Sequence, residues 1–366
     1  MTGNVIKLLC CAAAAVVLMA AAPLAGRPCF SPKVYLQVRS PSAFTVSAAA
    51  SGAEAVSQAG VVSQAEAEAA VRGAIFRYER LPKCWSAFIA GAALSLSGLM
   101  LQTLFRNALA SPYTLGIASG AAAGAAGWML LAPAAETALG LSFAWASSVW
   151  ASAFGAAAAA LILLLLARIR NLGTGSLPLA GIALSFFFSS LVLAMQYGAD
   201  PGTMFRMIRW TMGRIEPLSP GLTLISGALV LSAAAIHWFF GRELDIMATG
   251  RNRALTLGVS VDRLSFLLLL LSSLLVGWIV SCFGPIGFVG LMVPHICRLL
   301  FGTEHRVLVP AVFLVGGLFL TGCQTLSRVL LPNDVLPVGV ITSLLGGPFF
   351  LGILLRRPRY LDRGEL

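Results

Sequence analysis

Apolar residues fall in long unbroken runs along this chain, separated by short stretches that carry its arginines, prolines and glycines. The runs lie at about 6–24, 84–104, 112–132, 143–167, 177–197, 219–240, 264–283, a short one near 287–301, 308–327 and 338–355. At 1.5 Å of rise per residue, a run of about 17–25 residues spans a hydrocarbon core of about 30 Å. The strict apolar/polar alternation of a membrane β-strand is absent, and in lipid every backbone polar group needs a partner inside the protein. The pattern therefore predicts an all-α polytopic membrane protein with about ten transmembrane helices. Residues 1–26 read as a first transmembrane helix with signal-like features, because Lys7 stands at the start of the apolar run and small residues such as Ala20 to Ala22 near its end. Residues 27–82 form an extracytoplasmic loop with room for one amphipathic helix between Glu66 and Arg80. A bundle over 83–357 with a cytoplasmic loop at 241–263, then a cytoplasmic tail at 358–366, completes the organisation.

Composition agrees: 58% of the 366 residues are hydrophobic and 11% charged, too little polar surface to cover a soluble globule. The net charge of +11 could suggest nucleic acid. The arginines, however, sit in the loops that follow every second span: Arg106, then Arg168 and Arg170, then Arg242, Arg251, Arg253 and Arg263, then Arg306, then Arg356, Arg357, Arg359 and Arg363. This is the positive-inside pattern of a multi-pass protein of the inner (cytoplasmic) membrane. Arg80, Lys83, Arg206, Arg209, Arg214 and Arg328 depart from it and mark the outer side. Gly116, Gly120 and Gly124 recur every fourth residue and predict a ridge for close helix packing.

Several chemistries are excluded. The three lysines, Lys7, Lys33 and Lys83, do not follow glycine, so no P-loop exists to hold a nucleotide. His237, His295 and His305 are scattered, and the seven cysteines form no CxxC pair, so no catalytic residue, metal site or cofactor is expected. Carboxylates such as Asp200, Glu216, Glu243, Asp245, Asp262, Glu304 and Asp334 lie in loops or at span ends. An ion-coupled carrier buries such groups at membrane depth. Energy is therefore expected from a partner. An ion-coupled secondary transporter is the alternative, and it predicts uptake abolished by an ionophore; a membrane-embedded receptor predicts no uptake at all.

Four segments place polar or helix-breaking residues at span boundaries: GAALSLSGLMLQTLFRNALASPYTLGIASGA from Gly91 to Ala121, LAGIALS from Leu179 to Ser185, GPIGFVGLMVPHICRLL from Gly284 to Leu300, and LPVGVITSLLGGPFF from Leu336 to Phe350. Together with Arg80-Leu-Pro-Lys83 they resemble the FecCD family of ABC importer permeases (type II importers), over about Arg80 to Arg357. The resemblance implies a permease for an iron chelate (ferric siderophore or haem) or cobalamin. It also implies two cytoplasmic ABC ATPase subunits, an extracytoplasmic substrate-binding protein and a second permease subunit, as a homodimer or pseudo-dimer.

Residue by residue, the resemblance implies that Arg80, Lys83 and Arg328 meet acidic residues of the binding protein, Lys83 standing where arginine is usual. The loop 241–263 matches the coupling helices, with Gly250, Ala254, Leu257 and Gly258 fitting the core pattern. Arg251 stands where an acidic residue is usual and Arg253 adds a second positive charge, so the ATPase groove is expected to carry compensating acids. Asn107, Leu109, Thr174 and Gly175 border the cytoplasmic gate, with Ala108 in place of a common proline. Pro285, Pro294 and Pro348, near glycines, are expected to break or kink helices.

Overall fold

A computed structural model of the protein describes residues 2–24, 75–139, 146–169, 176–330 and 335–356. Among these are thirteen α-helices and no strand: α1 (Thr2–Ala21), α2 (Leu81–Phe105), α3 (Ile117–Leu139), α4 (Ala146–Ile169), α5 (Ser176–Gly198), α6 (Pro201–Thr211), α7 (Pro220–Phe239), α8 (Gly241–Ala248), α9 (Arg251–Thr256), α10 (Val261–Phe283), α11 (Val289–Phe301), α12 (His305–Leu330) and α13 (Val338–Arg356). A π-helical turn, Phe76–Arg80, runs into α2, and a 3₁₀ turn, Pro112–Leu115, precedes α3.

Six helical stretches are long and apolar enough to cross a membrane, and four shorter apolar ones lie at Ile6–Ala21, Ile117–Ala132, Val289–Phe301 and Val338–Ile353. All ten occupy positions expected from the sequence. α11 is short because the chain leaves the helix at Gly284 and re-enters it only at Val289, so its 13 residues reach about 20 Å.

α2 is the axis of the bundle. In its most apolar stretch 89% of residues are buried, against 17% for α5. It packs most extensively on α12, and then on α10 and α11. Lipid is as apolar as leucine, so close backbone approach through small residues is what holds these helices together. A Cβ on Gly91 would strike the Gly316 carbonyl and lie 2.7 Å from the Leu320 Cβ; one on Gly98 would strike the backbone of Gly290. The predicted ridge is present in part: Gly120 and Gly124 pack on Gly155, Ala159 and Ala151 of α4. Gly116 does not join it, because it caps the 3₁₀ turn at φ 78° and faces Gly181 and Leu184 of α5.

Of the three prolines expected to disturb helices, Pro285 alone sits in a break; α11 runs through Pro294 and α13 through Pro348. The break is stabilised by other irregular backbone. Arg214 N donates to the Phe283 carbonyl at 2.7 Å, and Gly339 N to the Gly213 carbonyl at 3.4 Å. Non-helical chain at this depth is tolerable only where protein satisfies it in this way. α6, which ends just before the irregular segment at Gly213, is N-capped by Asp200, whose carboxylate accepts from the backbone of Gly202 and Thr203, each at 3.0 Å.

α1 packs on α12 and is tied at both ends. Lys7 Nζ and Asn4 Nδ2 donate to the last carbonyls of α11, Leu300 at 2.7 Å and Phe301 at 3.3 Å. At its other end Arg328 donates to the Ala22 carbonyl at 2.9 Å, and Arg80 to that of Pro23 at 3.3 Å. These cations satisfy carbonyls that a helix leaves orphaned at its C-terminus.

Candidate functional site: an outer rim, a path wall and an inner coupling face

Of the outer basic residues, Arg80, Lys83, Arg214 and Arg328 lie about one rim, but much of their charge is used within the chain. Arg80 and Arg328 hold the end of α1. Lys83 is only 8% exposed, pairs with Glu79 at 2.8 Å and lies 4.0 Å from Glu216. Arg214 pairs with the other oxygen of Glu216 at 2.9 Å and is the more open of these cations. A lone ammonium or guanidinium at membrane depth is expensive, so in-chain pairing is the physical condition for keeping these residues near the bundle.

α5 is the candidate wall. It is apolar and mostly exposed, yet its exposed face includes Ser189, Ser190 and Tyr197. A cavity of about 360 Å³ opens beside it, lined by Tyr113, Ser119, Ser189, Gln196, Thr211 and Pro285. Hydroxyl and amide groups aimed away from the protein on an apolar span fit a wet path or a second subunit better than lipid.

On the inner side the predicted loop 241–263 consists of α8, α9 and the first turn of α10. Gly250 and Gly258 adopt φ 138° and 79°, which a side chain would strain, and so set the two corners of α9. Ala254 is fully buried and Val259 N donates to its carbonyl at 3.0 Å, so it is the spacer on which α9 rests. Leu255 and Leu257 project outward, 48% and 62% exposed, and Arg251 and Arg253 are exposed as well. Arg251 finds its acid within the chain, pairing with Asp262 at 2.9 Å. Arg106 lies close to it, and burial, then the Arg251 charge, push the Arg106 guanidinium below its ordinary range.

The candidate gate turn follows α2. Arg106 caps the helix at φ 48°, Asn107 Oδ1 accepts from Leu109 N at 2.8 Å, and Leu109 is 44% exposed. Thr174 and Gly175 lie outside the described residues. The sequence reading missed a polar cluster just above this turn: Gln102 and Thr103 on the last turn of α2 meet Arg298, His305 and, through His305, Asp245. The histidines that look scattered are not all apart, since the rings of His237 and His305 lie 5.7 Å from each other. Polar residues at the ends of apolar spans were the available signal. No group of three potential metal ligands is present among the described residues.

A bundle of apolar spans without a nucleotide cradle, carrying a basic, partly apolar face on its inner side, defines a membrane-spanning import permease that borrows its energy from a partner. The chain belongs to the FecCD transport family, whose sequence pattern matches residues 42–356. It is 36% identical to the hemin transport system permease protein HmuU of Yersinia pestis over 76% of this chain and 82% of that one. To the vitamin B12 import system permease protein BtuC of Vibrio cholerae it is 33% identical, over 76% and 81%. A solved structure described as an inward-facing conformation of a metal-chelate type ABC transporter superposes with a TM-score of 0.75 at 26% identity, over 97% of this chain and 99% of that one. The protein is thus a multi-pass inner-membrane permease subunit of an ABC importer, not an enzyme; ATP hydrolysis resides in its cytoplasmic partner, and a binding protein delivers cargo from outside.

Proposed function

We propose that two copies of this chain enclose a path for a metal chelate of the tetrapyrrole or siderophore class, with hemin, ferric siderophores and cobalamin as the candidates. The observation that carries this reading is the exposed face of α5, where Ser189 and Ser190 stand on a largely apolar span, with Ser189 and the half-buried Gln196 lining the cavity. A second copy facing this wall would double the cavity and shield the remaining apolar surface. The hemin, vitamin B12 and metal-chelate systems named among its relatives support the cargo class. No covalent step is involved: closure of the ATPases switches access from the outer to the inner side.

In this reading Arg80, Lys83 and Arg328 orient the binding protein at the outer rim, where opposite charge sets orientation and on-rate more than affinity. Gly250, Arg251, Arg253, Ala254, Leu257 and Gly258 shape the ATPase contact, and Asn107, Leu109, Thr174 and Gly175 border the inner gate. Because Asp262 already neutralises Arg251, the ATPase groove needs to answer chiefly Arg253 and the two leucines. Leu257→Asp is expected to cost about 2 kcal/mol of ATPase association, about thirtyfold in affinity, read by co-purification and titration. Arg251→Glu, which sets two acids against each other, is expected to lower association less than tenfold.

The deciding experiment reconstitutes the permease with its ATPase and binding protein in proteoliposomes and follows hemin, a ferric siderophore and cobalamin in parallel. ATP-dependent accumulation of one of them, indifferent to an ionophore, is expected. Accumulation of none would overturn the cargo class, and loss of uptake with the ionophore would favour the ion-coupled reading.

A further inference from the structure

Three inner helix segments meet in one largely buried polar cluster. Asp245 on α8 accepts from the backbone N of His305 at 3.0 Å, and the same oxygen lies 2.6 Å from His305 Nδ1. The other ring nitrogen, Nε2, lies 2.9 Å from Thr103 Oγ1 on the last turn of α2, and that hydroxyl also bonds the Leu99 carbonyl at 2.9 Å. His305 and Thr103 are 5% and 6% exposed. One imidazole therefore joins a helix of the inner coupling face to the helix that carries the gate turn, three residues before Arg106.

The corner that leads into α8 is held against α12 as well. Trp238 Nε1 donates to the Arg306 carbonyl at 3.0 Å, the Arg306 guanidinium lies 5.5 Å from the Trp238 ring, and a Cβ on Gly241 would come within 3.1 Å of the Arg306 side chain. α12 in turn interlocks with α2 through Gly91, Ser95 and Gly316. α8, the start of α12 and the end of α2 are thus connected by directed bonds and by contacts with no slack.

We propose that Asp245, His305 and Thr103 are positioning residues that carry movement of the ATPase-facing helices to the gate turn at Asn107–Leu109. The proposal rests on the reading of the inner face as the ATPase contact. Packed cores have discrete arrangements rather than continuous compliance, so a displaced α8 takes His305 with it, and His305 takes the end of α2. A network that merely satisfied buried polar groups would affect stability and leave the ratio of transport to hydrolysis alone.

The test uses the reconstituted complex and records ATP hydrolysis, cargo uptake and thermal stability together. Thr103→Val keeps the shape and removes the hydroxyl; Thr103→Ser restores the hydroxyl. Coupling changes along such connections run from 0.5 to 2 kcal/mol. Thr103→Val is accordingly expected to lower uptake per ATP hydrolysed about 2- to 30-fold with hydrolysis itself little changed, Thr103→Ser to recover it, and Asp245→Ala to behave as Thr103→Val. A cargo-independent reading comes from maleimide labelling of Leu109→Cys without Cys10, Cys11 and Cys29, since Cys84, Cys282, Cys297 and Cys323 are buried. Labelling is expected to depend on nucleotide, and that dependence to fall in Thr103→Val. A Thr103→Val complex that keeps both its ratio and its nucleotide-dependent labelling, or a serine variant no better than valine, overturns the link. A wild-type complex that shows the labelling response yet accumulates no chelate overturns the cargo reading alone.

Discussion

Gly98→Leu is expected to leave almost no folded protein. Its side chain would have to occupy the space of the Gly290 backbone, where α2 and α11 cross. A flexible neighbour could swing aside, but a helix backbone cannot, and seven positions earlier α2 is also clamped by α12 through Gly91 and Gly316. Overpacking costs 1–3 kcal/mol where side chains can adjust; here about 3 kcal/mol or more is expected, a large part of a stability of about 5–15 kcal/mol. The measurement is the melting profile and monodisperse yield in detergent. Gly322→Ala, on α12 where nothing lies within 4 Å of the added Cβ, should be neutral or slightly stabilising. Equal yields for the two variants would refute the crossing.

Gln102→Leu is expected to be the second most damaging change. Arg298 reaches Gln102 Oε1 at 2.5 Å and makes no ion pair among the described residues. The amide nitrogen of Gln102 contacts the carbonyls of Gly290 and Leu291 at 3.3 and 3.4 Å, so one side chain joins both ends of α11 to α2. Losing the acceptor strands a guanidinium whose hydrogen bond is worth about 1.5–3 kcal/mol. Removing the charge as well should recover most of the loss, because a pair replaced by apolar groups of similar shape is nearly neutral. A double mutant Gln102→Leu with Arg298→Met that melts no higher than Gln102→Leu alone would refute the pairing.

The spans were legible because run length against bilayer thickness is a one-dimensional measure, and all ten apolar helices fall where runs of leucine, alanine and valine predict them. The Gly120–Gly124 ridge was legible for a similar reason, as period four is a property of one helix. What could not be read locally is which faces meet. Gly98 and Gly290 look like ordinary glycines until the two helices cross, and His305 finds Asp245 and Thr103 from 60 and 202 positions away in the chain. The three prolines differ in outcome. Pro285 breaks the chain because Gly284 adopts φ 72° and Phe288 φ 66° around it, whereas Pro294 and Pro348 lack such neighbours in the left-handed region and α11 and α13 continue. Of the candidate site, the inner glycines Gly250 and Gly258 stand at the corners of α9 with positive φ, and Ala254 is buried between them. At the rim the sequence could offer three cations but not their in-chain partners, since a charge pattern does not reveal what each charge touches.

The central position of α2 has a consequence for how the protein is made. Its last turn is complete near residue 105, but the carbonyls and guanidinium that Gln102 engages belong to residues 290–298, nearly two hundred positions later. At about 5–20 residues per second of synthesis, the helix waits about 10–40 s in the membrane with its amide, its threonine and its glycine notches unmatched. A nascent chain halted before α11 would hold a finished α2 with no seat for it, and is expected to be degraded rather than to accumulate.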